Sequence, residues 1–278
     1  MKNITVVVLT FNTPENIIID CLSSIDNDIK VLIIENSNKF IHEEKILSKF
    51  DNVNVKCTGK NLGYGGGNNF GIAAVETDYI LILNPDVICS KDFFSNIEDV
   101  IEENNNFSVI GCQYLHDRVF MPAGFFDKKK NKKFLENFRN DKIEDLSEVD
   151  WVTGCSMLLN ITKFSNKKIF DENFFLYFEE FDLCKSLKDR GEKVYSSKKL
   201  KIHHLGFKSS FEDNSSFKKN INRMREWHWM WSSFYFYKKN YGYFFALNKI
   251  IGKFITATLK TIYFSLTFNQ IEKEKYKY

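Results

Sequence analysis

The sequence predicts an α/β fold: a Rossmann-like, mostly parallel sheet flanked by helices, with a helical extension at the C-terminal end. Three observations lead there. Short β-branched runs alternate with helix-periodic segments from residue 4 to residue 104. The first run, "ITVVVLTF", is continuously β-branched, the mark of a strand buried on both faces. Polar residues recur at the C-terminal end of each run, where open α/β sheets bind their ligands.

The elements follow in order. "ITVVVLTF" (4–11) is the first strand. Thr13-Pro14-Glu15 then reads as a cap, a proline at the first helical position and an acid in the first turn. Ile17, Ile18, Cys21, Leu22 and Ile25 continue at helical spacing. "KVLIIEN" (30–36) is a second strand, followed by a helix near 40–50. "NVNVKCT" (52–58) is a third, leading through a glycine-rich loop to a helix near 66–76. "YILILNP" (79–85) is the fourth, and Ser90 is the expected cap of a helix near 91–104. Residues 116–149, with "DKKKNKKF", read as a solvated surface loop. Order resumes at "VDWVTGCSMLLN" (149–160). A helix over 176–190 closes at Gly191, "KVYSSKKLKIHHL" (193–205) reads as a strand, and helices run from about 215 to the end.

Composition narrows the classes. With 278 residues, 44% of them hydrophobic, the chain has material for a large core. A net charge of +3 gives no case for nucleic acid. The six cysteines stand at least 23 residues apart, so no thiol-metal spacing exists. They read as buried, reduced thiols of a cytoplasmic protein. No signal peptide or uninterrupted membrane-spanning stretch is expected.

Four strand ends deliver hydrogen-bonding groups to one rim: Thr10 and Asn12, Glu35 and Asn36, Asn61 and Gly63, then Asn84 and Asp86. The loop "NLGYGGGNNFG" (61–71) fails the dinucleotide pattern in both frames, because Asn68 and Phe70 stand where the last glycine belongs. No GxxxxGK[ST] loop is present either. In Asn84-Pro85-Asp86, the proline stops the strand and exposes a carboxylate that suits Mg²⁺ or Mn²⁺, or simply opens a turn. "FFLYFEEFDLC" gathers three acids. Glu179 and Asp182 share a helix face and Glu180 points away, a grouping that fits either a helix start or a general base. His203-His204 follow a strand and read as structural residues or as metal or phosphate contacts.

Taken in order, "VVVLTFN", "VLIIENS", "NLGYGGGNNFGI", "ILNPDV", "WVTGCSMLL", "FDENFFLYFEEFDLC" and "HHLG" resemble family 2 glycosyltransferases of the GT-A fold, in a bacterial rhamnosyltransferase-like branch. The resemblance spans roughly residues 4–210. It implies a catalytic domain over 1–210, with a nucleotide-sugar half near 1–115 and an acceptor half near 150–210, and a tail over 211–278. It implies donor contacts at Thr10, Asn12, Glu35, Asn61, Gly63, Asn68, Asn84 and Asp86. Acceptor-side residues would be Trp151, Gly154, Glu179 and Asp182. The metal would lie at Asp86 with His203 or His204, and the base would be Glu180. Three positions depart from the family pattern: Glu35 and Glu180 stand where aspartates are usual, and Lys168-Ile169 replace a Gly-Gly pair.

The implied activity is inverting transfer of a sugar, with rhamnose the leading guess, from a dTDP- or UDP-sugar to a glycan or lipid-linked acceptor of a bacterial surface glycan. A catalytically silent scaffold in a glycan-assembly complex is the alternative, and a nucleotidyltransferase a third. In the aromatic tail, Lys249, Lys253 and Lys260 fall on one helix face with an apolar face opposite. That pattern suits peripheral attachment to the inner membrane surface, or packing on the catalytic domain or a homodimer partner.

Overall fold

The computed structural model describes residues 3–114, 123–206 and 215–267. Its strands are β1 (Ile4–Thr10), β2 (Lys30–Glu35), β3 (Val53–Cys57), β4 (Tyr79–Leu83), β5 (Val87–Cys89), β6 (Val109–Tyr114), β7 (Ala123–Gly124), β8 (Leu146–Glu148), β9 (Trp151–Val152), β10 (Ser156–Asn160) and β11 (Val194–His204). Its helices are α1 (Glu15–Leu22), α2 (Glu43–Lys49), α3 (Gly63–Ala73), α4 (Phe93–Glu103), α5 (Lys128–Arg139), α6 (Glu179–Asp189), α7 (Ser215–Tyr241) and α8 (Tyr243–Leu266). The chain divides into two compact units. One holds Met1–Glu172 and Glu179–Phe211, the other Asn173–Phe178 and Glu212–Tyr278. The expected boundary at 210/211 lies outside the described residues.

The first unit is built on a sheet ordered β3-β2-β1-β4-β10-β6-β11-β5, with β8 paired to β11. The first four strands are parallel, as the strand–helix alternation predicts. β10 enters antiparallel between β4 and β6, so the sheet is mixed. Alternate side chains feed two cores. Val6, Val8, Ile33 and Leu81 face α1, α2 and α4, whereas Val7, Ile34, Ile82 and Met157 face α3, α5 and α6. Register carries the rim: Thr10 pairs with Glu35, and Glu35 with Cys57.

Three local expectations change. α4 starts at Phe93 after Asp92, not at Ser90. Ser90 donates its N–H to Lys201 O at 3.0 Å, continuing the β5–β11 pairing, so its backbone belongs to the sheet. The lysine-rich stretch taken for a loop is helix α5. Asp127 caps it by accepting from Lys130 N at 2.7 Å, and Phe134 anchors it in the core. α6 begins at Glu179, not 176, because Tyr177 and Phe178 both hold φ +71°. Two successive aromatic residues in the left-handed region cost about 1–3 kcal/mol each, and α7 supplies contacts that hold them.

Those contacts define the second unit. Ser232 donates to Leu176 O at 2.8 Å, Phe175 stacks on His228, and Phe178 packs against Trp229 and Phe236. α7 and α8 meet at Gly242, whose φ of +91° suits a residue without a Cβ. Trp229 faces Lys253, and Tyr237 faces Phe245, pairs equidistant from Tyr241, so the helices run antiparallel. Lys253 lies 3.6 Å over the Trp229 ring. The lysine side of α8 therefore turns toward α7, and Phe244, Phe254, Leu259 and Leu266 point outward. Among the described residues, no helix is long and apolar enough to cross a membrane.

Candidate active site

The rim at the C-terminal ends of β1, β2 and β3 is cross-linked by its own polar groups. Glu35 is buried and accepts from Thr10 Oγ1 at 2.7 Å and from Asn12 N at 3.2 Å. Asn12 reaches it with φ +48°, a conformation that asparagine tolerates. Asn36 then organises the glycine loop. Its Nδ2 donates to Asn61 Oδ1 at 3.1 Å and Gly63 O at 3.0 Å, and its Oδ1 accepts from Leu62 N at 2.9 Å. α3 lies close on the sheet because its glycines permit it. A Cβ at Gly67 would meet Leu9 Cδ1 at 2.5 Å, and one at Gly71 would meet Val7 at 2.7 Å. Asn68, fully buried, donates to Tyr64 O at 3.0 Å, while its Oδ1 has no partner. An orphaned buried acceptor of this kind calls for a ligand or water.

Asn84-Pro85-Asp86 forms a turn, closed by Val87 N donating to Asn84 O at 3.2 Å. The turn also serves the site. Asp86 is only 1% exposed, and His204 Nε2 lies 3.4 Å from its Oδ1. Leu205 N donates to Asp86 O at 2.9 Å, which ties the end of β11 to the turn. His203, the next residue along the strand, points to the opposite face and is exposed. Asp86 and His204 together offer one carboxylate and one imidazole. Among the described residues, no three His, Cys, Asp or Glu side chains converge into a complete metal set. A magnesium-type site fits this arrangement, since such ions take few protein ligands and complete their shell with phosphate and water.

The acidic turn stands at the start of α6. Glu179 and Asp182 are buried and Glu180 is partly buried. Burial pushes the Glu180 carboxyl up to about 7, opposed by the backbone N–H groups of Glu180 and Phe181 that it accepts. A carboxyl so placed titrates in the range a general base needs. Trp151, on β9, packs against Phe181 with ring centroids 4.9 Å apart.

Cys155 connects the two acidic regions. Its carbonyl accepts from Asn84 N at 2.8 Å. Burial pushes its thiol up to about 12, and the charges of both Asp86 and Glu180 add to that rise. The two carboxylates, 94 residues apart in sequence, thus bear on one buried sulfur. Tyr114 donates to or accepts from Cys155 Sγ and Thr153 Oγ1, each at 2.7 Å, and its ring lies 5.6 Å from the His204 ring. Gly154 gives its carbonyl to the Tyr64 hydroxyl.

Reading the strand ends brings Thr10, Asn12, Glu35, Asn61, Gly63, Asn84 and Asp86 to attention, but it misses Tyr64, Asn69, Tyr114 and Cys155. Asn69 accepts from Ile169 N at 3.0 Å and Phe170 N at 2.9 Å, and so holds the segment where Lys168-Ile169 replace the glycine pair. A doubled asparagine inside a glycine-rich helix start was the available signal. Tyr64, Tyr114 and Cys155 carry none, because nothing local separates them from core residues.

Comparison with known proteins bears on the fold and the family. The fold matches a solved structure described as GalNAc-T7 with UDP, GalNAc and Mn²⁺, at a TM-score of 0.59 and 12% identity. The match covers 84% of this chain and 50% of the other, so the chain spans half the length of that protein. The class of fold is that of the GT-A glycosyltransferases. The pattern described as "Glycosyl transferase family 2" matches residues 5–161, more than half of the chain. The protein belongs to glycosyl transferase family 2 and is a glycosyltransferase. Similar proteins include the low-salt glycan biosynthesis hexosyltransferase Agl10 of Haloferax volcanii, 23% identical over 81% of this chain and 80% of its own length. Rhamnosyltransferase WbbL of Escherichia coli is 25% identical over 76% and 83%. The N-acetylglucosaminyl-diphospho-decaprenol L-rhamnosyltransferase of Mycobacterium tuberculosis is 23% identical over 64% and 67%.

Proposed function

We propose that this glycosyltransferase moves a sugar, with rhamnose the first candidate, from a nucleoside diphosphate donor to a hydroxyl of a glycan or lipid-linked acceptor, with inversion and with a divalent cation bound. The observation that supports the reading is that the Thr153–Cys155 turn touches both regions: Asn84 N, beside Asp86, donates to Cys155 O, and Tyr64, next to the Gly65 that packs against Glu179, donates to Gly154 O. The names of the similar rhamnosyltransferases support the choice of sugar.

Glu35, oriented by Thr10 and Asn12, keeps lone pairs for an N–H or hydroxyl of the nucleoside. Asn61, Gly63 and Asn68 line the start of α3, with the free Asn68 oxygen offered to the donor. Asp86 and His204 would hold Mg²⁺ or Mn²⁺; His203 faces away from Asp86. When bound, the cation offsets charge growing on the leaving diphosphate. Glu180 takes the proton of an acceptor hydroxyl as its oxygen attacks the anomeric carbon. The bond to the diphosphate breaks on the opposite side and the nucleoside diphosphate leaves, so configuration inverts. Trp151, Gly154, Glu179 and Asp182 form the acceptor side of this reading.

The test is donor hydrolysis by the full chain across dTDP- and UDP-sugars, with Mn²⁺ and with Mg²⁺. Nucleoside diphosphate release that disappears in Asp86→Ala and in Glu180→Gln is the expected result. No release from any donor, with or without a lipid-linked acceptor, would favour a silent scaffold. One feature gives that second reading some ground: the longer Glu180 side chain folds back onto its own helix N–H groups.

The helical unit reads as an attachment to an anionic membrane surface on the cytoplasmic side. Residues 227–271 contain five lysines and no acid, and aromatics edge the outward apolar stripe. A second copy of the chain is the competing occupant. Flotation with anionic vesicles tests for the first, and light scattering without lipid for the second.

A further inference from the structure

The start of α3 carries a residue that the mechanism above does not use. Tyr64 is the second residue of that helix, and its hydroxyl donates to Gly154 O. Its ring meets Phe170 edge-on at 6.1 Å. Its own carbonyl accepts from Asn68 Nδ2 at 3.0 Å, so the residue is held at both ends. The adjoining Gly65 packs closely, since a Cβ there would stand 3.1 Å from Phe170 Cβ and 3.4 Å from Glu179 Cγ. On the far side of the bond, a Cβ at Gly154 would stand 3.2 Å from the phenol oxygen. Cys155 follows directly, and its carbonyl is fixed by Asn84 N. The start of α3 and the Asp86 turn are thereby both tied to the Thr153–Cys155 turn, the first through the phenol and the second through the Cys155 carbonyl.

We propose that Tyr64 is a positioning residue. Its hydroxyl pins the Thr153–Cys155 turn to the start of α3 and so sets the spacing between Asp86 and Glu180. The inference rests on the reading of Glu180 as the base. The placement of the phenol agrees with it: burial pushes Tyr64 far above its ordinary value, with Glu180, Cys155 and Glu179 adding to the rise. The groups that face Glu180 are Tyr64 on α3, Cys155 on the turn before β10, and Cys184 on α6 itself. Without the hydroxyl, Gly154 O loses its partner, the turn loosens and water reaches Glu180, which stabilises the carboxylate.

The test uses the full chain carrying ¹³C-labelled glutamate. The Glu180 carboxyl signal is identified by its loss in Glu180→Gln, then titrated in the wild type and in Tyr64→Phe. The expected result is a Glu180 midpoint shifted to lower pH in Tyr64→Phe. Turnover of the sugar nucleotide selected by the donor panel should fall at least ~10-fold, with KM for the donor changing less than ~2-fold, as for a displaced reacting group. Gly154→Ala, which crowds the same bond from the other side, should give the same pattern. The double variant should lose less than the two single losses combined. If Tyr64→Phe does not fold, Gly154→Ala decides: unchanged turnover and midpoint overturn the proposal, and a matching loss supports it. An unshifted midpoint in folded Tyr64→Phe, or strict additivity in the double variant, also overturns it. Normal turnover in Glu180→Gln removes the base assignment instead, and the titration still reports on the Tyr64 bond by itself.

Discussion

Strands β1, β2 and β4 bury Val7, Ile33 and Ile82 on the two faces of the sheet, whereas α8 turns Phe244, Phe254 and Leu266 to solvent. Both regions are rich in apolar residues, but they use them differently. In the sheet unit, polar groups gathered at the strand ends and along α3 bond to one another and to nearby backbone. Glu35, Asn36 and Asn69 each make two or more such bonds. In the helical unit, the inner side of the hairpin is aromatic and includes a lysine over a tryptophan ring, and the outer side of α8 exposes large apolar residues. Rigid placement of side chains needs the first design, whereas an exposed apolar face such as the second is a feature of interaction surfaces.

The largest expected effect breaks the sheet unit at its chemistry. Glu180→Gln lowers turnover by about 10²- to 10⁴-fold, the usual contribution of a general base, measured as nucleoside diphosphate release. Asp86→Ala brings release to background with KM for the donor raised. In the wild type, turnover rises with pH through about 7 as Glu180 loses its proton.

The same group sharpens the comparison through stability. Its folded pKa is raised from 4.5 to about 7, so protonated Glu180 favours the fold. That contribution is complete below about pH 4.5 and is lost as pH rises through about 7. Thermal melts at pH 5 and pH 8 should therefore show Glu180→Gln gaining on the wild type at the higher pH. Next comes packing. Gly67→Ala drives a Cβ to within 2.5 Å of Leu9, and overpacking of this kind costs about 1–3 kcal/mol, read from the urea midpoint.

The smallest effect on stability falls in the helical unit. Phe254→Glu with Leu259→Glu changes folding free energy by no more than about 0.5 kcal/mol each, as exposed substitutions do. Flotation with anionic vesicles should nevertheless be lost. Point variants serve better here than deletion of the tail, because Asn173–Phe178 pack on α7 and deletion would strip that segment of its contacts.

The amino-acid sequence by itself determined the strand–helix order, the parallel first half of the sheet and the rim formed by Thr10, Glu35, Asn61 and Asp86. Those follow from local signals: β-branched runs, a proline, a glycine cluster, and a two- or 3.6-residue period that each segment carries alone. Only the tertiary structure decided that β10 enters antiparallel beside β4, that His204 rather than His203 faces Asp86, and that Tyr64 reaches Gly154 across 90 residues. It also decided that "DKKKNKKF" is a helix, since its anchor is the burial of Phe134, and that the lysine side of α8 turns inward. The physical reason is common to all of these. Periodicity says which face of a segment is apolar, but what that face or a buried polar atom meets depends on residues far away in the chain.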